Sequence, residues 1–131
     1  MKKIMIVMLV SLLLAGCGSS TPPQIIDNGK PGQIKAIVFY DKNKNGIMDQ
    51  DELGLNDSVS ISQQLSCPPS NSEGITKSDT NSNGEAVFTD LKPGRYCVAY
   101  VGGKSTTTKL TVEVYLSSEQ TAQAFFGLFE K

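Results

Sequence analysis

Residues 34–52 read Ile34-Lys35-Ala36-Ile37-Val38-Phe39-Tyr40-Asp41-Lys42-Asn43-Lys44-Asn45-Gly46-Ile47-Met48-Asp49-Gln50-Asp51-Glu52. The first seven are rich in β-branched and aromatic residues and apolar on both faces apart from Lys35, as in a strand buried within a sheet. The next twelve alternate oxygen-bearing side chains with spacers, carry glycine at the sixth position and end on glutamate. A chain coiling round a hard cation turns every second side chain inward, so Asp41, Asn43 and Asn45 supply oxygens. Gly46 gives the sharp bend, Ile47 offers its backbone carbonyl, Asp49 binds directly or through a water, and Glu52 closes the shell with both carboxylate oxygens. The expected cofactor is Ca2+. The competing reading is a solvated turn, because Asp, Asn and Gly favour turns of many kinds. The complete alternation and the terminal glutamate favour the ion.

The segments flanking this loop decide the fold. A helical calcium hand needs a helix entering before Asp41 and another leaving after Glu52. Here Pro31-Gly32 and a β-rich run come first, and Gly54 and Asn56-Asp57 interrupt the segment after Glu52, so the loop joins strands. Downstream, Val59, Ile61 and Leu65 alternate with Ser60, Ser62 and Gln64, which predicts a strand with one face on the core, stopped by Cys67-Pro68-Pro69. Residues 75–78 predict a short strand leading into Asp79-Thr80-Asn81-Ser82-Asn83-Gly84. Ala86 and Phe88 then point inward, Lys92-Pro93-Gly94 turns the chain, and Tyr96, Val98 and Tyr100 line a strand that Gly102-Gly103 ends. Leu110, Val112, Val114 and Leu116, a turn near residues 117–120, and residues 122–129 predict a final hairpin, with Phe125, Phe126 and Phe129 as core bulk. Six or seven strands with turns at short intervals predict an all-β, antiparallel two-sheet Greek-key sandwich.

The N-terminus reads as an address. Lys2 and Lys3 precede the apolar run 4–14, broken only by Ser11, and Leu14-Ala15-Gly16-Cys17 follows: basic, apolar, small. The run is shorter than the roughly 20 residues a spanning helix needs, so it predicts export. These residues resemble a bacterial lipoprotein signal. The lipobox-like Leu14-Ala15-Gly16-Cys17 implies cleavage before Cys17 and lipidation of its thiol and new amino group, with palmitate-type acyl chains holding the protein to a membrane. An ordinary secretory signal with an incidental cysteine is the alternative. The expected organisation is a signal peptide over 1–16, a lipidated Cys17 with a Gly/Ser/Pro-rich tether to residue 31, and a sandwich domain over 32–131.

Composition narrows the function. The 131 residues carry a net charge of −1 and contain neither His nor Trp, so no polyanion-binding surface, and hence no nucleic-acid partner, is expected. Without His there is no Ser-His-Asp or Cys-His nucleophile system and no imidazole zinc site. The carboxylates near Asp49 are better explained as cation ligands than as a glycosidase pair, and a non-catalytic protein is expected. Cys67 and Cys97, an exported pair, suggest a disulfide, with two free thiols as the alternative. Asp79, Asn81 and Asn83 repeat the first half of the loop pattern without a closing glutamate; a hairpin turn and a second, weaker calcium site are both open. Asp57 could reach the main ion from the next segment.

With those residues placed, the chain resembles the SdrD B-like family, calcium-binding prealbumin-like domains of bacterial surface proteins related to the Cna B-type repeats. Three blocks carry the likeness: Val38-Phe39-Tyr40-Asp41 through Glu52-Leu53-Gly54-Leu55, then residues 78–88, then Leu91-Lys92-Pro93-Gly94-Arg95-Tyr96. The resemblance implies a β-sandwich spacer stiffened by calcium, with Asp41, Asn43, Asn45, Asp49 and Glu52 as ligands and Ile47 contributing its carbonyl. The chain departs from these relatives in holding one copy, in lacking a Ser-Asp repeat or sortase motif, and in its lipid anchor. Some Cna-type relatives form a Lys–Asn isopeptide bond between first and last strands; Lys35 is suitably placed, but residues 122–131 contain no Asn, so none is expected. The expected function is a calcium-stabilised structural or adhesive domain of a cell-envelope lipoprotein, in the outer membrane if the cell is Gram-negative. The alternative is an envelope module that recognises a protein or glycan through loops 70–74 and 102–107. The lack of Trp and the apolar setting of Tyr96 and Tyr100 weigh against glycan.

Overall fold

The strand predicted before the loop is β1 (Gly32–Tyr40) of a computed structural model that describes residue 18 and residues 21–129. The signal segment and Cys17 lie outside the described residues. β1 is the middle strand of a three-stranded sheet, between β4 (Glu85–Leu91) and β7 (Thr121–Leu128). Both its faces are covered, as its two-sided apolar run requires. Ile34, Ala36 and Val38 enter the core between the sheets, while Ile37 and Phe39 are buried on the other side. The second sheet has the order β3-β2-β5-β6, built from β2 (Ser58–Ser62), β3 (Thr76–Asp79), β5 (Gly94–Tyr100) and β6 (Thr111–Leu116), every pair antiparallel. Val59, Ile61, Tyr96, Val98, Val114 and Leu116 face the first sheet, and Tyr100 meets Phe126 across the gap with ring centroids 6.4 Å apart. Each such apolar side chain contributes roughly 1.5–3 kcal/mol by leaving water. Among the described residues there are seven strands and no helix, so the all-β two-sheet expectation is met.

Four expectations need correction. The sheets are not wholly antiparallel: β1 and β7 run parallel over eight residue pairs, from Gln33–Thr121 to Tyr40–Leu128. Residues 110–129 do not form a hairpin, because β6 pairs with β5 in one sheet and β7 with β1 in the other. The 117–120 turn therefore crosses between sheets, and β7 takes the edge of β1 that β4 leaves open. Leu65 does not continue β2 into the core: the strand stops at Ser62 and Leu65 is 96% exposed. Of the three phenylalanines only Phe126 is a core residue; Phe125 is partly exposed on the outer face and Phe129 lies beyond the strand.

One covalent bond explains why β2 departs from its predicted alternation. Cys67 and Cys97 form a disulfide with Cα atoms 5.4 Å apart, which draws the 63–75 excursion to the outer side of β5. Cys97 pairs in register with Ser62, and Ser60, Ser62 and Cys97 are all buried although none faces the other sheet. Within the excursion the Gln64 carboxamide donates to the carbonyls of Asn71 (3.0 Å) and Glu73 (2.7 Å) and accepts from the Ser70 N–H at 3.1 Å. Arg95 donates to the Leu65 carbonyl at 2.9 Å and pairs with Glu113 at 2.6 Å.

The strand directions give the sandwich two poles. The near pole gathers residues 63–75, 92–93 and 117–120 with the N-terminal segment, whose Ile26 accepts from the Ser118 N–H at 2.8 Å and whose Lys30 pairs with Glu119 at 3.0 Å. The far pole gathers residues 41–57, 80–84 and 101–110.

Candidate metal centre

The twelve-residue loop leaves β1 at the far pole, and its two ends are clamped side by side. The Tyr40 N–H donates to the Leu53 carbonyl and the Leu55 N–H to the Val38 carbonyl, both at 2.9 Å, so the exit runs back antiparallel along β1. Two glycines make the approach close enough. A Cβ at Gly54 would collide with the Asn83 carbonyl, and one at Gly84, whose φ is +78°, would collide with the Val38 carbonyl. On the other side of β1 the Asp41 N–H donates to Leu128 of β7 at 2.8 Å.

Inside the clamp the predicted ligands form one bonded set. Asp41 is fully buried; its Oδ1 accepts from the Asn45 N–H at 3.1 Å and its Oδ2 from the Gly46 N–H at 2.7 Å. Gly46 at φ +76° and Lys44 at φ +61° supply the left-handed turns that aim these N–H groups inward. Asn43 Oδ1 accepts from Asn45 N–H at 3.1 Å, and Asn45 Oδ1 from Ile47 N–H at 2.8 Å. Glu52 is 6% exposed and bridges the loop, accepting from the Lys42 N–H at 2.9 Å and the Asp49 N–H at 3.0 Å. The Asn43 and Asn45 amides both donate to Asp49 Oδ2, at 2.7 and 3.0 Å.

Burial pushes the Asp41 carboxyl up, but the Thr107 hydroxyl and the N–H groups of Gly46, Asn45 and Lys44 pull it down further, and the balance lies below its ordinary value. Asp41 is thus an ionised carboxylate in the interior. Its compensation comes from dipoles: none of the four ion pairs among the described residues includes Asp41, Asp49, Asp51 or Glu52. Lys44, within the loop, stacks on the Phe129 ring at 4.6 Å instead.

The donor chemistry fits a hard dication. Every ligand candidate is an oxygen, and each carboxylate oxygen that accepts one N–H keeps a further lone pair. The Asn43 and Asn45 side-chain oxygens each accept one backbone N–H and likewise keep a lone pair. No three His, Cys, Asp or Glu side chains gather at one point among the described residues; Asp49 is linked to the rest of the set through the two amides.

Asp57 does not join this set. It accepts from Lys104 at 2.9 Å, from the Tyr100 hydroxyl at 3.1 Å and from the Ser58 N–H at 2.9 Å. Burial raises its pKa, Lys104, Ser58 and Tyr100 lower it, and the lowering prevails. Asp79 ends β3, and Asn81 and Asn83 lie in the turn that leads to β4. Asp79 Oδ1 takes the Ser58 hydroxyl at 2.5 Å, while Asn81 Oδ1 accepts from the Asn83 and Glu85 N–H groups at 2.9 and 3.0 Å. Lys35 pairs with Glu85 at 3.0 Å. The residue that sequence reasoning missed is Thr107, which reaches Asp41 from a Thr-rich segment more than 60 residues downstream and has no spacing signal of its own.

Comparison with known proteins agrees with this architecture. Residues 32–124 match the SdrD B-like domain family. Colossin-A from Dictyostelium discoideum is 40% identical over 66 residues, covering 50% of this chain and 1% of that protein. The fold is similar to the full-length major pilin SpaD from Corynebacterium diphtheriae, with a TM-score of 0.57 at 17% identity over 80% of this chain and 33% of that one. It is similar also to a streptococcal ancillary pilin, with a TM-score of 0.55 at 18% identity over 78% and 33% of the two chains. The minor pilin GBS52 from Streptococcus agalactiae gives 0.54 at 10% identity over 78% and 45%. The chain thus spans well under two thirds of each of these proteins.

Proposed function

The chain belongs to the SdrD B-like domain family, and on that premise we propose that it is a calcium-stabilised, non-catalytic structural or adhesive domain at the cell envelope, held to a membrane by lipid on Cys17. The observation that carries the reading is the fully buried Asp41, whose carboxylate is met by the N–H groups of Asn45 and Gly46 and, among the described residues, by no cationic side chain. Asp41, Asn43, Asn45, Asp49 and Glu52 would hold the ion, with the Ile47 carbonyl. The ion supplies positive charge where carboxylates otherwise repel one another. The chain's own residues do the rest: Gly46 and Lys44 aim N–H groups at Asp41, and Glu52 ties Lys42 to Asp49 so that the loop keeps its width.

The strand order suits a spacer. Because β1 and β7 are parallel neighbours, the chain enters the sandwich at the near pole and leaves at the far one. Tension along the chain would then load the β1–β7 hydrogen bonds in shear, all together, and the loop is fastened to both strands at the end where β7 leaves.

A second reading, a module that contacts an envelope or extracellular protein, is favoured by a recess of about 700 Å³ beside the loop, lined by Tyr40, Leu53, Leu55, Lys104, Leu128 and Phe129. Calorimetric melting of the full chain in calcium and in chelator tests the first reading. At free calcium a hundred times Kd the expected gain is about 2.7 kcal/mol, or about 10–20 °C for a domain of this size. Coincident melting curves would refute it.

A further inference from the structure

The loop is the part of the metal centre that a sequence can show, but the centre has a second wall. Residues 105–108 lie along the far end of β7: the Thr107 N–H donates to the Gly127 carbonyl at 2.9 Å and the Phe129 N–H to the Ser105 carbonyl at 3.3 Å. Gly127 N–H in turn donates to the Thr108 hydroxyl at 3.2 Å. Over Gly127, on the outer face of the sheet, three side chains converge. A Cβ added there would overlap the Thr107 hydroxyl and stand 3.0 Å from the Phe39 ring and 3.1 Å from Asp41 Cβ. Gly127 has no left-handed φ to justify a glycine, so the space above it is what the residue provides. On the loop side Gly46 faces the same segment, with the Thr107 carbonyl and the Thr108 methyl each 3.8 Å from where its Cβ would be.

The Thr107 hydroxyl is buried and makes no hydrogen bond of good geometry within the described structure, yet it lies close enough to act on the Asp41 carboxylate. A buried hydroxyl without a partner forfeits its hydration for nothing in return, and it needs an explanation. We propose that Thr107 is a positioning residue of the cation site, its hydroxyl orienting Asp41, so that ion binding and the docking of residues 105–108 onto β7 are a single event. This rests on the calcium reading of the loop. When an ion pulls Asp41 into its coordinating position, the carboxylate oxygen that turns toward Thr107 completes the hydroxyl's hydrogen bond. The site then reports its occupancy to the Lys104-bearing wall of the adjoining recess.

The test is calorimetric titration of Ca2+ into the full chain as wild type, Thr107→Val and Thr107→Ser, with amide hydrogen exchange of the wild type in calcium and in chelator. The valine keeps the volume and removes the hydroxyl; the serine restores it. The expected result is a loss of affinity of roughly tenfold for valine and less than about twofold for serine, as for other residues that orient metal ligands. Exchange at Thr107 and Gly127 should slow with calcium together with that at Asn45 and Gly46. Wild type and valine binding equally, a serine variant no better than valine, or exchange at 105–108 indifferent to calcium overturns the proposal and leaves the loop reading intact. A wild type that binds no Ca2+ overturns the loop reading, and this proposal with it.

Discussion

The sandwich sends out two long irregular excursions, residues 41–57 at the far pole and 63–75 at the near pole, and they are held by different physics. The near one is fixed by a covalent bond between Cys67 and Cys97, with Gln64 and Arg95 satisfying its backbone carbonyls. The far one has no crosslink. Its side chains turn inward onto its own N–H groups around a buried carboxylate, so that hydrogen bonds rather than a covalent bond hold its shape. Segments of this length without regular structure need an outside constraint to stay ordered. The near constraint is open to reductant, whereas the bonds within the far loop contain nothing a reductant attacks, so the two can be perturbed separately.

The largest effect should come from the covalent side. Replacing Cys67 and Cys97 together by Ala should lower stability by roughly 3–4 kcal/mol on chain-entropy grounds, read by urea denaturation, and by the same amount in calcium as in chelator. A loss that grows in calcium would mean that the two excursions are coupled and that the contrast between them is false. The next effect belongs to the loop. Glu52→Gln puts an amide N–H against one of the two backbone donors that Glu52 now serves and removes a charge from the ligand set. It should abolish the calcium-dependent gain of about 2–3 kcal/mol and leave the response to reductant untouched, as thermal melts in the four combinations of calcium, chelator and reductant would show.

How much of this was legible differs between the two excursions for a physical reason. The far loop was readable as a local unit because its side chains bond backbone groups only a few residues away: Asp41 takes the N–H groups of Asn45 and Gly46, Asn45 that of Ile47, and Glu52 that of Asp49, so the pattern lies within one short stretch. β1 was readable because a strand covered on both faces leaves a two-sided apolar run. Thr107 was not, since its place is set by tertiary docking against Gly127. Nor was the sheet change between β6 and β7, because a four-residue turn serves a hairpin and a crossover equally well, and only the open edge of β1 decides. The burial of Ser60 and Ser62 depends on where a disulfide carries the chain, which no local pattern encodes.

Acid provides a smaller, more selective test, at the junction between the loop's exit and the 101–110 segment. Asp57 has a depressed pKa in the fold, so its contribution is present above the ordinary Asp value of 3.8 and is lost as pH falls below that through the folded value. Lys104, its partner, is largely exposed, which limits the pair to about 1 kcal/mol or less. Asp57→Asn should therefore flatten the acid limb of the stability curve slightly and change nothing near pH 7 that depends on calcium. A large calcium-dependent loss would make Asp57 a member of the metal site after all.

The smallest expected effect discriminates most sharply between what the sequence pattern suggests and what the fold does. By alternation with Val59 and Ile61, Leu65 belongs in the core, where removing a leucine side chain costs about 2–5 kcal/mol. In the fold it lies on the stapled excursion at 96% exposure, and what holds the chain there is its carbonyl, bound by Arg95, rather than its side chain. Leu65→Ser should accordingly stay within about 0.5 kcal/mol of wild type. The same substitution at Ile61, which is buried in the core, should unfold much of the protein. A Leu65 variant as damaged as the Ile61 variant would mean that β2 continues past Ser62 and that the disulfide does not carry the excursion off the strand.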